Sequence, residues 1–180
     1  MVKMKSGAPA LLVSLVLTTL TGCSMSDSRD SHEIPSAGVS TSRDAADAME
    51  KVSSELYDLI GIKGRTANTQ PGVKECGGKD RDKYFSIFHP WDLTPASTST
   101  AELEGVLERL KQELPQHGWK VVEYGRDTSM NKNLSLTADN DEKKVSVKLG
   151  AHAKDNPPSL GLMVVSGCYQ IPDGKQIERF

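Results

Sequence analysis

A chain of 180 residues with 22 Lys and Arg against 24 Asp and Glu carries a formal net charge of −2. The stretch from Asp44 to Phe180 is long enough for one domain with its own core, and no internal repeat or composition break divides this part. The mildly acidic balance argues against nucleic acid or anionic headgroups as the main partner.

The first segment sets the expected location. Met1 with Lys3 and Lys5 makes a positive start, and Ala8 to Leu20 an apolar run broken by Pro9, Ser14, Thr18 and Thr19. That run is shorter than the about 20 apolar residues needed to cross a bilayer. Leu20-Thr21-Gly22-Cys23 then matches, position by position, an apolar residue, two small residues and a cysteine. Here the chain resembles the lipobox of bacterial lipoproteins. The resemblance implies that residues 1–22 are a signal peptide cut after Gly22, and that a diacylglyceryl group is joined to the Cys23 sulfur. Cys23 would become a lipid anchor at the extracytoplasmic face of the cell membrane. One acyl chain binds a membrane only marginally, at roughly 0.8 kcal/mol per buried methylene, whereas two hold stably.

With Cys23 assigned to lipid, the three cysteines leave Cys76 and Cys168 as an even pair in an exported chain. We expect a disulfide between them, tying an early loop to the last strand, since the compartment beyond the membrane is oxidising. A reactive Cys76, beside Lys74 and Lys79 in a Gly77-Gly78 setting, ranks below it, because neither a C-x-x-C spacing nor a neighbouring His accompanies it.

Residues 23–43 read as the lipidated cysteine and a flexible tether. Ser24 to Ser31 and Pro35 to Gly38 hold almost nothing apolar and cannot offset the entropy of ordering. About 20 such residues reach about 25 Å. His32 and Glu33 fall within this stretch and need no role there.

Residues 44–180 form the expected globular domain. Ala45, Met49, Val52, Leu56 and Leu59 alternate at spacings of three and four, predicting a helix from about Arg43 to Ile60, capped by Thr41 or Ser42 and ended by Gly61. Tyr84 to His89 is a strand candidate, limited at its far end by Pro90. A capping box, Ser99 with Glu102, opens a second helix whose stripe is Leu103, Val106, Leu107, Leu110 and Leu114; Pro115 weakens its last turn before Gly118. Four further strands are expected at Trp119–Tyr124, Asn133–Ala138, Lys144–Leu149 and Leu160–Tyr169, the middle two joined by the turn Asp139-Asn140-Asp141. Asp155-Asn156-Pro157-Pro158 makes the next turn. The order predicts an α+β fold: two helices packed on one face of a mainly antiparallel sheet of about five strands.

Chemistry is sparse. The chain has no nucleophile elbow, dinucleotide fingerprint, phosphate loop or zinc-spaced His or Cys pair. No cofactor, metal or catalytic residue is therefore assigned. The histidines His32, His89, His117 and His152 are isolated in sequence, and the acidic run Asp139-Asn140-Asp141-Glu142 lacks a calcium loop's length and glycine. Trp91, read as lying in a strand-to-helix loop, is the one candidate aromatic contact point, with core packing ranked above that role.

Two functions follow. The first is a non-enzymatic envelope binding module for another envelope protein or a small ligand. The second is a small envelope hydrolase assembled from dispersed residues; His89, His152, Asp127 and the acidic turn would have to converge in one cleft, and no spacing requires Asp127 and Arg126 to join His89. Beyond the leader, the layout of Ser/Thr/Asp tether, cysteine pair and α+β domain resembles small actinobacterial lipoproteins, a likeness that transfers no site.

Overall fold

The computed structural model describes residues 36–67, 69–96 and 100–180. Cys23 with its lipobox, His32, Glu33 and the capping residue Ser99 lie outside the described residues. Among the described residues no helix is long and apolar enough to cross a membrane.

The first helix, α1 (Ser42–Ile60), forms where its apolar stripe predicts. Thr41 caps it, its side chain accepting from the Asp44 N–H at 3.2 Å, and Gly61 ends it at φ 67°, a left-handed conformation natural to glycine. The second, α2 (Thr100–Glu113), passes into a 3₁₀ turn at Leu114–His117 that contains Pro115. The proline removes an N–H that the α-helix would need, so the last turn tightens.

The sheet is larger than expected. Nine strands are described, β1 (Ser36–Val39), β2 (Gly64–Thr66), β3 (Gly72–Glu75), β4 (Tyr84–Pro95), β5 (Lys120–Arg126), β6 (Leu134–Asn140), β7 (Val145–His152), β8 (Ser159–Ser166) and β9 (Cys168–Gln170), where sequence predicts about five. The sheet runs β1-β9-β4-β8-β7-β6-β5, with β2 and β3 also on β4. It is curled into a half-barrel. Every pairing is antiparallel except β1 with β9, which is parallel and makes the sheet mixed. Strands β1, β2, β3 and β9 have three or four residues each, too few for alternation to register in sequence. Strand β1 falls inside the span expected to be tether, so order begins before residue 44.

β4 is the spine, and it corrects the role given to Pro90. The strand does not stop there but runs on to Pro95. On one side β4 pairs with β8 and β9; on the other, β3 takes Phe85–Phe88 and β2 takes Leu93–Pro95, leaving residues 89–92 without a strand partner. The Pro90 carbonyl points to that gap and accepts from the Thr69 hydroxyl. A residue's N–H and C=O point to the same side of a strand, so the missing proline donor faces the gap and no ladder bond is lost.

Alternation sends Phe85, Ile87, Trp91 and Leu93 of β4, Leu160, Leu162 and Val164 of β8, and Val145, Val147, Leu149 and Ala151 of β7 to one buried face. Both helices pack on this face, α1 over β4 and β8, α2 over β6 and β7. The expected packing of two helices on one face of the sheet thus stands. The β6–β7 hairpin also forms, but its turn is residues 141–144, because β6 continues through Asn140, which pairs with Val145. The last predicted strand is split at Gly167 into β8 and β9.

Candidate functional site

Helix α1, the gap in β4 and the segment joining β2 to β3 enclose a cleft of about 350 Å³. Its wall on α1 is Glu50, Ser53, Ser54, Tyr57 and Asp58; Thr66, Ala67 and Thr69 close the far side, and His89 and Trp91 form the floor. The cleft lies where β3 and β2 separate along β4.

Within it, His89 Nδ1 lies 2.8 Å from Ser53 Oγ and Nε2 lies 3.0 Å from the Thr69 carbonyl oxygen. A carbonyl can only accept, so Nε2 carries the proton, and Nδ1 of the neutral ring accepts from the Ser53 hydroxyl. Both side chains are buried. Trp91 packs in the core, the reading ranked above a contact point, but it sits in β4 and not in a strand-to-helix loop; it is 6% exposed, its ring tilted against Tyr57 at 6.1 Å between centroids. Its indole N–H is buried with no hydrogen-bond partner among the described residues. A buried donor left unpaired costs about 1–3 kcal/mol.

The other sequence candidates are dispersed. His152 follows Ala151 on β7 and so points away from the helices, on the face opposite His89. There it accepts from Asn133 Nδ2 at 3.4 Å and lies 3.9 Å from the Asp155 carboxylate. Asp127 is brought near through Asn133, whose N–H it accepts at 3.0 Å; it also accepts from the Ser129 hydroxyl at 2.6 Å and the Ser129 N–H at 3.0 Å. The Ser129 hydroxyl foremost, with these N–H groups, holds its carboxyl below the usual aspartate range. Arg126 forms two bonds, of 2.6 and 2.8 Å, to Glu104 of α2, which holds the Glu104 carboxyl low.

The acidic run sits at the far end of β6 from Asp127. There Asp139 accepts from the Ser146 hydroxyl at 2.6 Å, and the buried Asn140 accepts from the Lys143 N–H at 2.9 Å. Among the described residues no group of three or more His, Cys, Asp or Glu is placed to hold a metal ion. His117 is exposed at the end of the 3₁₀ turn.

Two features escaped the sequence reading. Ser53 lies on the buried face of α1 between Met49 and Leu56, and a hydroxyl on an apolar stripe was the available signal. Asp92 on β4 approaches His152 over Gly161: a Cβ at Gly161 would lie 2.7 Å from His152 Nε2 and 3.0 Å from Asp92 Oδ1. These residues are far apart in sequence, so only strand register reveals the approach.

Cys76, just after β3, and Cys168, opening β9, stand at disulfide distance, with Cα atoms 6.0 Å apart. Both strands pair with β4 at Phe85, from opposite sides.

Comparison of the chain with protein-family models, curated proteins and solved structures gave no match.

Proposed function

We propose that the chain is an envelope lipoprotein, anchored through acylated Cys23 at the extracytoplasmic face of the cell membrane, with a non-enzymatic binding domain. The domain takes its ligand in the cleft beside α1. The observation that carries this reading is the open cleft of about 350 Å³ between α1 and β4, floored by His89 and Trp91. The dispersal of His89, His152, Asp127 and the acidic turn also favours binding over catalysis. The anchor is tested by the intact mass of protein recovered from its own membrane fraction. Acyl chains should add to the mass, and Cys23→Ala should give protein that is released or left unprocessed. An unmodified Cys23 would overturn the localisation.

A small envelope hydrolase is the second reading, favoured by one contact, Ser53 Oγ to His89 Nδ1 at 2.8 Å. In it Ser53 Oγ bonds to a substrate carbonyl carbon while its proton passes to Nδ1. The leaving group departs with that proton, and water then frees the acyl group. A fluorophosphonate probe separates the two readings. Labelling that is lost in Ser53→Ala and in His89→Ala supports the hydrolase; the binding reading expects no labelling of the wild type.

A further inference from the structure

We propose that His152 is an acid-operated switch between two loops at one end of the sheet, its Nδ1 held by Asn133 when the ring is neutral and by Asp155 when the ring is charged. The site lies on the face opposite the cleft, so it goes beyond the binding reading and does not rest on it. A pair of glycines builds it. Gly150 of β7 and Gly161 of β8 are partners across the sheet, and the His152 ring lies over both. A Cβ at Gly150 would lie 3.5 Å from Nε2, and one at Gly161 would lie 2.7 Å from Nε2 and 3.1 Å from Cδ2. Glycine weakens a strand interior and marks a close approach there, here that of the imidazole.

The two groups at Nδ1 differ in kind. Asn133 Nδ2 lies 3.4 Å away and Asp155 Oδ2 lies 3.9 Å away. An amide nitrogen only donates, so Nδ1 accepts from it and the neutral ring carries its proton on Nε2. Charging the ring turns Nδ1 into a donor, which sets it against the Asn133 N–H and draws it to the carboxylate. Each partner belongs to a different loop. Asn133 ends the β5–β6 loop, whereas Asp155 lies in the β7–β8 turn, where its other oxygen accepts from Asn131 Nδ2 at 3.3 Å and Lys154 donates to Asn131 O at 2.7 Å. The exchange therefore pulls the carboxylate that ties the two loops onto the ring. Asp92 of β4 stands on the Nε2 side, 3.0 Å from the same Gly161 Cβ position; it favours the charged ring without choosing between the Nδ1 partners. Lys148, on the same face of β7, Lys154 and Lys132 oppose the charge. Asp127 accepts from the Asn133 N–H at 3.0 Å and holds that backbone whichever partner the ring takes.

Ring ¹⁵N shifts of the full chain, with the His152 signals identified by their loss in His152→Gln, give both the tautomer and the pH range in which the ring charges. We expect the neutral ring to carry its proton on Nε2. Double-mutant cycles in urea, on either side of that range, then read the two couplings from His152→Ala, Asn133→Ala and Asp155→Ala. With the ring neutral, His152 and Asn133 should be coupled by about two- to fivefold in the folding equilibrium, and His152 and Asp155 by about onefold; with the ring charged the two values should change places. A neutral ring protonated on Nδ1 would overturn the proposal. So would a coupling to Asn133 that persists on charging, the result expected if the Asn133 amide turns over and presents its oxygen instead. Should Asn133→Ala fail to fold, the Asp155 cycle decides alone: a coupling no larger with the ring charged overturns the switch.

Discussion

Tyr124 shows how one environment sets one proton. Burial foremost, then a 2.5 Å hydrogen bond donated to Glu108, pushes its phenol up to about 12. Because the folded value lies above the ordinary 10.0, the proton it retains contributes stability below that pH, and the contribution is lost as pH rises through the folded value. Spectrophotometric titration should show one of the four tyrosines ionising near pH 12, and Glu108→Gln should lower that value toward the ordinary one. Asp127 works in the opposite sense. Its carboxyl is held low by Ser129 and Asn133, so its contribution is present above the ordinary aspartate range and is lost as pH falls through the folded value. In Asp127→Asn the denaturant midpoint should fall at neutral pH, and the gap to wild type should close in acid; a gap independent of pH would refute this.

At the level of elements, the ends of α1 decide how the two helices meet. Its last carbonyls have no intrahelical donors, and Arg109 of α2 supplies them, bonding Leu59 O at 3.0 Å and Ile60 O at 2.6 Å. Arg109→Met keeps the stem packing and removes these donors, so urea titration should show a loss of about 1–2 kcal/mol. Gly64 is held by close approach, since a Cβ there would lie 2.2 Å from the Thr94 carbonyl oxygen. Gly64→Ala should cost about 1–3 kcal/mol by forcing β2 off β4. Leu107 is fully buried, and Leu107→Ala should cost about 2–5 kcal/mol. Both helices were legible from their apolar stripes, and α1 also from its Thr41 cap and Gly61 end. Pro90 misled because proline ends a strand only where both edges are paired, and one sequence does not show which edge of β4 lies open.

For the whole molecule, the Cys76–Cys168 bond would close a separation of 92 residues and clasp β3 to β9 across β4. Closing a loop of that length is worth about 4–5 kcal/mol in the chain-entropy account. The Cys76→Ser/Cys168→Ser double variant should lose stability of that order in denaturant titration. Thiol counting on the denatured protein should find no free Cys76; a free thiol there would remove the bond from the account.

The sequence by itself determined both helices, the ends of α1, the antiparallel run from β5 to β8 and the even cysteine pair. Each of these depends on local spacing or on counting. The tertiary structure alone decided the short strands β1, β2 and β3, the split of the last strand at Gly167 and the passage of β4 through Pro90. It alone brought Ser53 to His89, a pair 36 residues apart, and opened the cleft beside them. These depend on which strand edges find partners, and edge pairing is a non-local choice made when β4 is covered on both sides.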